Sequence, residues 1–219
     1  MSREPRKSAW GAPFGPVLYQ STISDELHKV MLEEALKLQE KKENDYRQNL
    51  AGNIEEEYAY SDAIRRHCTE EILFLCSDYT QKIGAQGALV QPWTTSIPEA
   101  ELVLPQLWVN FQKSAEWNPP HCHSGLFSFV TYLQVPPEIG EEKDQEHQKN
   151  SFPSAGVLQF DYGEHIPFTN VTHQVLPKEK MIVFFPARLR HYVYPFKSEV
   201  TRISVSGNIF SNKTDWQNY

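Results

Sequence analysis

The sequence predicts a mostly β protein, a barrel or sandwich core backed by α-helices from the N-terminal third, and three observations predict it. First, residues 107–111, 126–135, 156–162, 181–185 and 201–210 are rich in branched and aromatic side chains and bounded by proline or glycine, as strands are. Second, two stretches before residue 85 repeat apolar residues every three or four positions, which is the period of a helix. Third, 219 residues with 40% hydrophobic and 22% charged side chains are the balance of a chain that folds around a single core.

Residues 1–20 read as an irregular arm, because a basic start is followed by the run Gly-Ala-Pro-Phe-Gly-Pro. Residues 21–84 form a helical support region. Ser24 caps the first helix, Asp25 and Glu26 suit its first turn, and Leu27, Val30, Met31, Ala35 and Leu38 share a face. A second helix starts near Ser61 and Asp62, carries Ile64, Cys68, Ile72, Leu75, Cys76 and Tyr79, and meets a stop signal at Gly84. Both helices are amphipathic, so each must lay its apolar face on the sheet that residues 85–219 supply. The three regions together make one structural domain. Within the last, residues 137–152 are too charged for a strand and read as a mobile surface loop lining the cleft.

Composition also excludes some functions. A net charge of −7 and a pI near 5.6 argue against a surface that neutralises many phosphates, hence against a nucleic-acid partner. No run of about 18 apolar residues could span a bilayer, and the first ten residues lack the apolar stretch of a secretory signal. Cys68, Cys76 and Cys122 cannot all pair within the chain and show no C-x-x-C spacing, which fits a reducing compartment. The expected location is cytoplasmic.

Two segments carry chemistry. In residues 118–125, Asn-Pro-Pro-His-Cys-His-Ser-Gly, extended backbone puts residues two apart on one side, so His121 and His123 can converge on one ion while Cys122 points away. Imidazole serves iron, zinc, copper and nickel, so the pair does not name the metal. In residues 181–208 an apolar strand, a proline turn and His191 at the start of the next strand are followed 11 positions later by Arg202, which would put His191 and Arg202 on adjoining strands. Alternation then sends Arg202, Ser204, Ser206 and Asn208 to one face and Ile203, Val205 and Ile209 to the other. A guanidinium fork beside a hydroxyl matches a carboxylate, so a dicarboxylate would satisfy Arg202 and Ser204. Trp108 and Asn110, with Trp117 and Asn118, lie close in sequence to the metal segment and are candidates for a substrate cleft, as is Asn208. His28, His67, His147, His165 and His173 have structural or surface positions by comparison.

On these residues the sequence resembles the 2-oxoglutarate and iron(II)-dependent oxygenase superfamily. The likeness covers about residues 105–210 and includes Trp-Val-Asn-Phe at 108–111, the Pro-x-His-x-His-Ser-Gly segment, Gly-Val-Leu-Gln-Phe at 156–160, Phe185-Pro186, residues 191–196 and Arg-Ile-Ser at 202–204. It is similar in particular to a set of oxygenases, often phage-encoded, that carry the Pro-x-His-x-His-Ser-Gly segment; a phage origin would make the location host cytoplasm. The resemblance implies a double-stranded β-helix (jelly-roll, cupin-like) core with Fe(II) at its open end. It further implies a distal metal ligand at His191, Arg202 holding the far carboxylate of 2-oxoglutarate, and a hydrogen bond from Tyr132. The implied reaction uses O2, decarboxylates 2-oxoglutarate to succinate and hydroxylates a substrate.

The near motif departs from the superfamily's usual His-x-Asp or His-x-Glu, since His123 stands at the acid position. Three ligand sets follow. His121, His123 and His191 form an all-histidine face; or His123 and His191 bind with Gly125 leaving a place for water or halide, as in halogenases; or Asp161 supplies a carboxylate from elsewhere. A different class, a cupin-type metal-binding protein or zinc hydrolase, also accommodates three histidines. It gives Arg202 and Ser204 no task. A catalytically silent barrel that binds partners through its helices is a third class, and metal-dependent succinate release would exclude it.

Overall fold

The computed structural model describes residues 15–49, 51–85, 101–147, 149, 152–167 and 169–212. Among these, ten strands form two antiparallel sheets and three α-helices lie outside them.

In chain order the elements are β1 (Tyr19–Thr22), α1 (Asp25–Lys41), β2 (Glu57–Ala59), α2 (Asp62–Ala85), β3 (Leu102–Gln112), β4 (Asn118–His121), β5 (Phe127–Gln134), α3 (Pro137–His147), β6 (Leu158–Asp161), β7 (Thr172–Val175), β8 (Met181–Pro186), β9 (Arg190–Val193) and β10 (Arg202–Ser211). The larger sheet runs β1-β8-β5-β10-β3-β2 and the smaller β4-β9-β6-β7. Two antiparallel sheets facing across a core are the jelly-roll, double-stranded β-helix architecture that the sequence led us to expect.

The helices form where periodicity put them. Ser24 Oγ accepts a hydrogen bond from the Leu27 amide at 3.1 Å, and Leu27, Met31, Ala35 and Leu38 are buried. In α2 the buried face is Cys68, Ile72, Leu73, Cys76 and Tyr79. Both faces join Val109, Phe129 and Val205 in one core, so the helices cover the outer side of the larger sheet. Along β10, Ile203, Val205 and Ile209 point to that helix layer. Arg202, Ser204, Ser206 and Asn208 point the other way, into a cleft between the sheets. The strand's period of two thus separates core from site.

Three expectations need correction. Most of the supposed irregular arm, residues 1–14, lies outside the described residues, but its end is a strand: β1 pairs antiparallel with β8, Tyr19 opposite Phe184. The helical support region likewise contributes β2, which pairs with β3. Short edge strands of three and four residues are recruited by a neighbour's free edge, and their own composition announces nothing. Second, residues 137–147 are helix α3, not loop. Pro137 opens it, Glu138 suits its first turn, and Ile139 is 1% exposed in a small core with Ala155 and Phe196. Its acids are used: Glu142 accepts from the Lys197 and Ser198 amides at 2.9 Å, and Glu146 from the Ser154 and Ala155 amides at 3.0 Å. No residue of 137–152 lines the cleft among those described. Third, His191 and Arg202 are not on adjoining strands. β9 lies between β4 and β6 in the smaller sheet and β10 between β5 and β3 in the larger, so the two side chains face each other across the cleft.

Candidate metal centre and cosubstrate cleft

The metal end of the cleft is built on the smaller sheet's edge. Pro119 and Pro120 fix φ and disfavour helix in the residue before each, which draws this segment into the extended edge strand β4; proline's missing amide is harmless there. The β4–β9 register sets His121 directly opposite His191. Two residues on, the His123 amide donates to the Ala187 carbonyl at 2.8 Å. Gly125 then turns the chain toward β5 with φ of 103°. A side chain there would sit in an unfavourable conformation with its Cβ 2.9 Å from the Ile209 carbonyl oxygen.

These constraints gather three imidazoles. Their ring centroids are 4.8 Å (His121–His123), 4.4 Å (His121–His191) and 5.0 Å (His123–His191) apart, and one ligand nitrogen from each lies within 4.8 Å of the others. Carbonyls only accept, so His121 Nδ1–H donates to Pro119 O at 2.6 Å and His191 Nδ1–H to Leu189 O at 2.8 Å. Those bonds fix the tautomer and leave Nε2 lone pairs for a metal. Phe185 and Phe160 wall in His191, and the edge of Trp108 meets His123.

Burial keeps the rings neutral. It lowers the His121 pKa, takes His123 down to about 4 and His191 to about 3, with the neighbouring imidazoles adding to the effect for the last two. Neutral imidazole is the form that ligates a metal. The donor set therefore fits a divalent transition ion held by three neutral nitrogens. Among the described residues no acid joins the cluster. Asp161 stands on the outward face of β6, where it accepts from Gln159 Nε2 at 3.1 Å and from Tyr192 OH at 3.4 Å, so it is not a ligand in this arrangement.

Across the cleft lies Arg202, 2% exposed. One terminal nitrogen donates to the Gly156 carbonyl and the other to Gln112 Oε1, while Nε is buried without a partner. Gln112 is in turn held by the Glu116 carbonyl at 2.6 Å, and the Tyr132 ring lies 5.7 Å from the guanidinium. Desolvation lowers the Arg202 pKa, and burial pushes the Tyr132 hydroxyl up to about 12. Among the described residues no carboxylate pairs with this guanidinium, which leaves three of its five N–H donors for a ligand. Ser204, 6% exposed, lines the same cleft beside it. A buried cation without a counter-ion fits a carboxylate cosubstrate.

The other sequence candidates, Trp108, Asn110, Tyr132 and Asn208, all line this cleft, whose non-atom volume including its mouth is about 680 Å³. Asn208 Oδ1 accepts from Ser128 Oγ at 2.7 Å. Trp117, just before β4, is exposed and does not line it. The sequence reading missed Gln112, which strand alternation with Trp108 and Asn110 could have found. It also missed Ala51 and Ile54, for which no sequence signal exists.

Comparison with known proteins agrees. Residues 106–208, just under half of the chain, match the family described as "Putative 2OG-Fe(II) oxygenase", 2OG being 2-oxoglutarate. Similar solved structures include a Pseudomonas putida prolyl-4-hydroxylase (14% identity, 90% of this chain and 93% of that one, TM-score 0.54). Another is the non-heme alpha ketoglutarate dependent epimerase SnoN of nogalamycin biosynthesis (16% identity, 89% and 76%, TM-score 0.59). SnoN in complex with Fe3+, alpha ketoglutarate and nogalamycin RO also matches (16% identity, 89% and 78%, TM-score 0.54). No curated protein matches in sequence. From within β3 through most of β10, the stretch that carries all three histidines and Arg202, this chain is similar in sequence to the 2OG-Fe(II) oxygenase family, on a fold similar to those of the prolyl-4-hydroxylase and SnoN.

Proposed function

We propose that the protein is an iron(II)- and 2-oxoglutarate-dependent oxygenase that hydroxylates its substrate, with His121, His123 and His191 as the metal ligands and Arg202 and Ser204 as the anchor of the cosubstrate's far carboxylate. One observation carries this: three neutral imidazoles and a buried guanidinium without a counter-ion face each other across a single cleft. The related SnoN has been solved with both iron and alpha ketoglutarate, which supports the pairing of cofactors.

The residues divide the work. His121 and His191 are held in one tautomer by backbone carbonyls, so their Nε2 atoms are preorganised as ligands. Gln112 and the Gly156 carbonyl hold the Arg202 fork before any ligand arrives, which lowers the ordering cost of binding. Tyr132, under the guanidinium, keeps a protonated hydroxyl at neutral pH and is placed to donate a hydrogen bond. Phe160, Phe185 and Trp108 keep water from the metal end. Iron with 2-oxoglutarate and O2 supplies the oxidising power, and succinate and CO2 are the expected co-products. A zinc hydrolase or cupin-type binding protein would share the histidines but leave Arg202 unexplained. Three free cysteines, two of them buried, support a reducing, cytoplasmic setting, and the acidic charge argues against nucleic acid as substrate. Among the described residues no helix is long and apolar enough to cross a membrane.

The test is succinate release from 2-oxoglutarate by purified protein with and without iron(II). Release that needs iron and is abolished in His191→Ala supports the reading; a protein that holds iron and yet binds no 2-oxoglutarate refutes it.

A further inference from the structure

Beside the cosubstrate anchor lies a second set of buried polar groups with the opposite character. Glu57 on β2 is 1% exposed and pairs directly across from Asn110 on β3, which is 5% exposed and lines the cleft. Cross-strand partners share a face, with Cβ atoms about 5 Å apart. Asn118, at the start of β4, also lines the cleft, and Glu57 lies behind the two asparagines, outside the set of residues that line it. Glu57 Oε1 and Asn118 Oδ1 both lie within 3.5 Å of the Cβ that any residue other than glycine would place at Gly52. Glycine lets this segment close down onto them.

Glu57 Oε1, Asn110 Oδ1 and Asn118 Oδ1 are all buried, all acceptors and all without a hydrogen-bond partner. Unmatched buried acceptors are expensive, about 1–3 kcal/mol each, and three at one spot call for a donor. Apart from the proton that Glu57 itself carries below about pH 8, the neighbouring side chains among the described residues supply none. Among the described residues Glu57 enters no ion pair; Arg47, the cation that acts on it, is bound to Asp45 at 2.6 Å. Glu116, the other acid beside it, is satisfied by the Glu55 and Lys113 amides at 3.0 and 2.8 Å and so contributes only negative potential. Burial and Glu116 push the Glu57 carboxyl up to about 8, the mark of an acid held without a cation.

We propose that Glu57, Asn110 and Asn118 form a substrate subsite that accepts hydrogen bonds from an ammonium group, so that the substrate is a primary amine whose oxidised carbon lies toward the three histidines. The assignment rests on the oxygenase reading of the same cleft. An ammonium carries three donors for three acceptors and supplies the missing charge. Its arrival ionises Glu57, so binding near neutral pH releases a proton.

Protein loaded anaerobically with iron(II) and 2-oxoglutarate is titrated calorimetrically with 1,4-diaminobutane and 1-aminopentane, and with 1,4-butanediol and 1-pentanol as matched alcohols lacking an ammonium. The amines are expected to bind about 10- to 100-fold more tightly than their counterparts, the span of one or two charge-assisted hydrogen bonds. That preference falls to within about twofold in Glu57→Gln and is reduced in Asn118→Ala, each checked for wild-type thermal unfolding. Calorimetry in buffers of different ionisation enthalpy should report proton release on amine binding by wild type and none by Glu57→Gln. Equal affinity for amines and alcohols in wild type overturns the proposal, as does a preference that survives both substitutions. Either result would mean that Glu57 is simply a protonated acid satisfying its asparagine neighbours. The 2-oxoglutarate affinity measured in the same samples separates the readings: its absence removes the oxygenase assignment, while its presence without amine preference removes this one alone.

Discussion

Arg202→Met removes the guanidinium while keeping most of its stem, and it isolates the cosubstrate half of the site from the metal half. Two of the five N–H donors are already given to Gly156 and Gln112, so two of the remaining three can form a fork with a carboxylate. Each charge-assisted bond is worth about 1.5–3 kcal/mol, and part of that is spent on desolvating the carboxylate. A net loss of about 3–4 kcal/mol weakens 2-oxoglutarate by ~10²–10³-fold. The assay is calorimetric titration of 2-oxoglutarate into iron(II)-loaded protein without oxygen, with iron content measured on the same samples. Iron should be retained, because Arg202 is outside the histidine cluster. Folding should survive as well: the change orphans the Gly156 carbonyl and Gln112 Oε1 but also removes a buried charge whose Nε has no partner. Unchanged 2-oxoglutarate affinity in a folded, iron-bearing variant would refute the anchor.

Alanine at His121, His123 or His191, one at a time, should each cut bound iron at equilibrium by at least ~10²-fold, whereas Asp161→Ala should leave it intact; iron retained in His121→Ala would favour the two-histidine arrangement. In metal-free protein the depressed histidine values give stability that is complete above about pH 6.5 and drains away as pH falls toward 4 and 3, because only the unfolded chain takes up those protons readily; thermal unfolding from pH 8 to 4 reads it. Glu57 has the opposite sign: its raised value gives stability that is complete below about pH 4.5 and is lost as pH rises through 8, so Glu57→Gln should flatten the alkaline side of the same curve. Gly125→Ala should destabilise the fold by about 1–3 kcal/mol and loosen iron through His123, measured by chemical unfolding and metal content. Ile139→Ala should cost about 2–4 kcal/mol and expose α3 to limited proteolysis without lowering iron content.

What could be read in the sequence was whatever depends on short-range periodicity. The period of two along β10 gave its site face and its helix-facing side residue by residue, and the period near 3.6 gave the buried faces of α1 and α2. His121 and His123 were legible because extended backbone joins them within three positions. What stayed hidden depends on pairing at a distance. β1, β2 and β7 are three or four residues long and exist because a neighbouring strand has a free edge. α3 hides its single apolar anchor, Ile139, among charges that cap other segments. Sequence separation misled in one case: 11 positions look like two adjoining strands, but the chain crosses from one sheet to the other between β9 and β10, so His191 faces Arg202 across the cleft.

The larger sheet in turn keeps the buried acid Glu57 apart from the buried Arg202 guanidinium. In the larger sheet β3 separates β2 from β10, with Glu57 opposite Asn110 and Arg202 opposite Gln112. Two strand spacings sideways and two residues along put their Cα atoms about 12 Å apart. Gln112 Oε1 accepts from Arg202, and its amide donates to the Glu116 carbonyl. Neither therefore serves as the other's counter-ion: Arg202 has no carboxylate partner among the described residues, and Glu57, without a cation, holds its proton up to about pH 8. Among the described residues no acid joins the three imidazoles, so the proposed metal site offers a divalent ion no counter-charge either. On the proposed reading a dianionic cosubstrate meets that demand at the metal and Arg202 together, and the acceptor set around Glu57, reached two residues further along β3 from Gln112, is left to a cation.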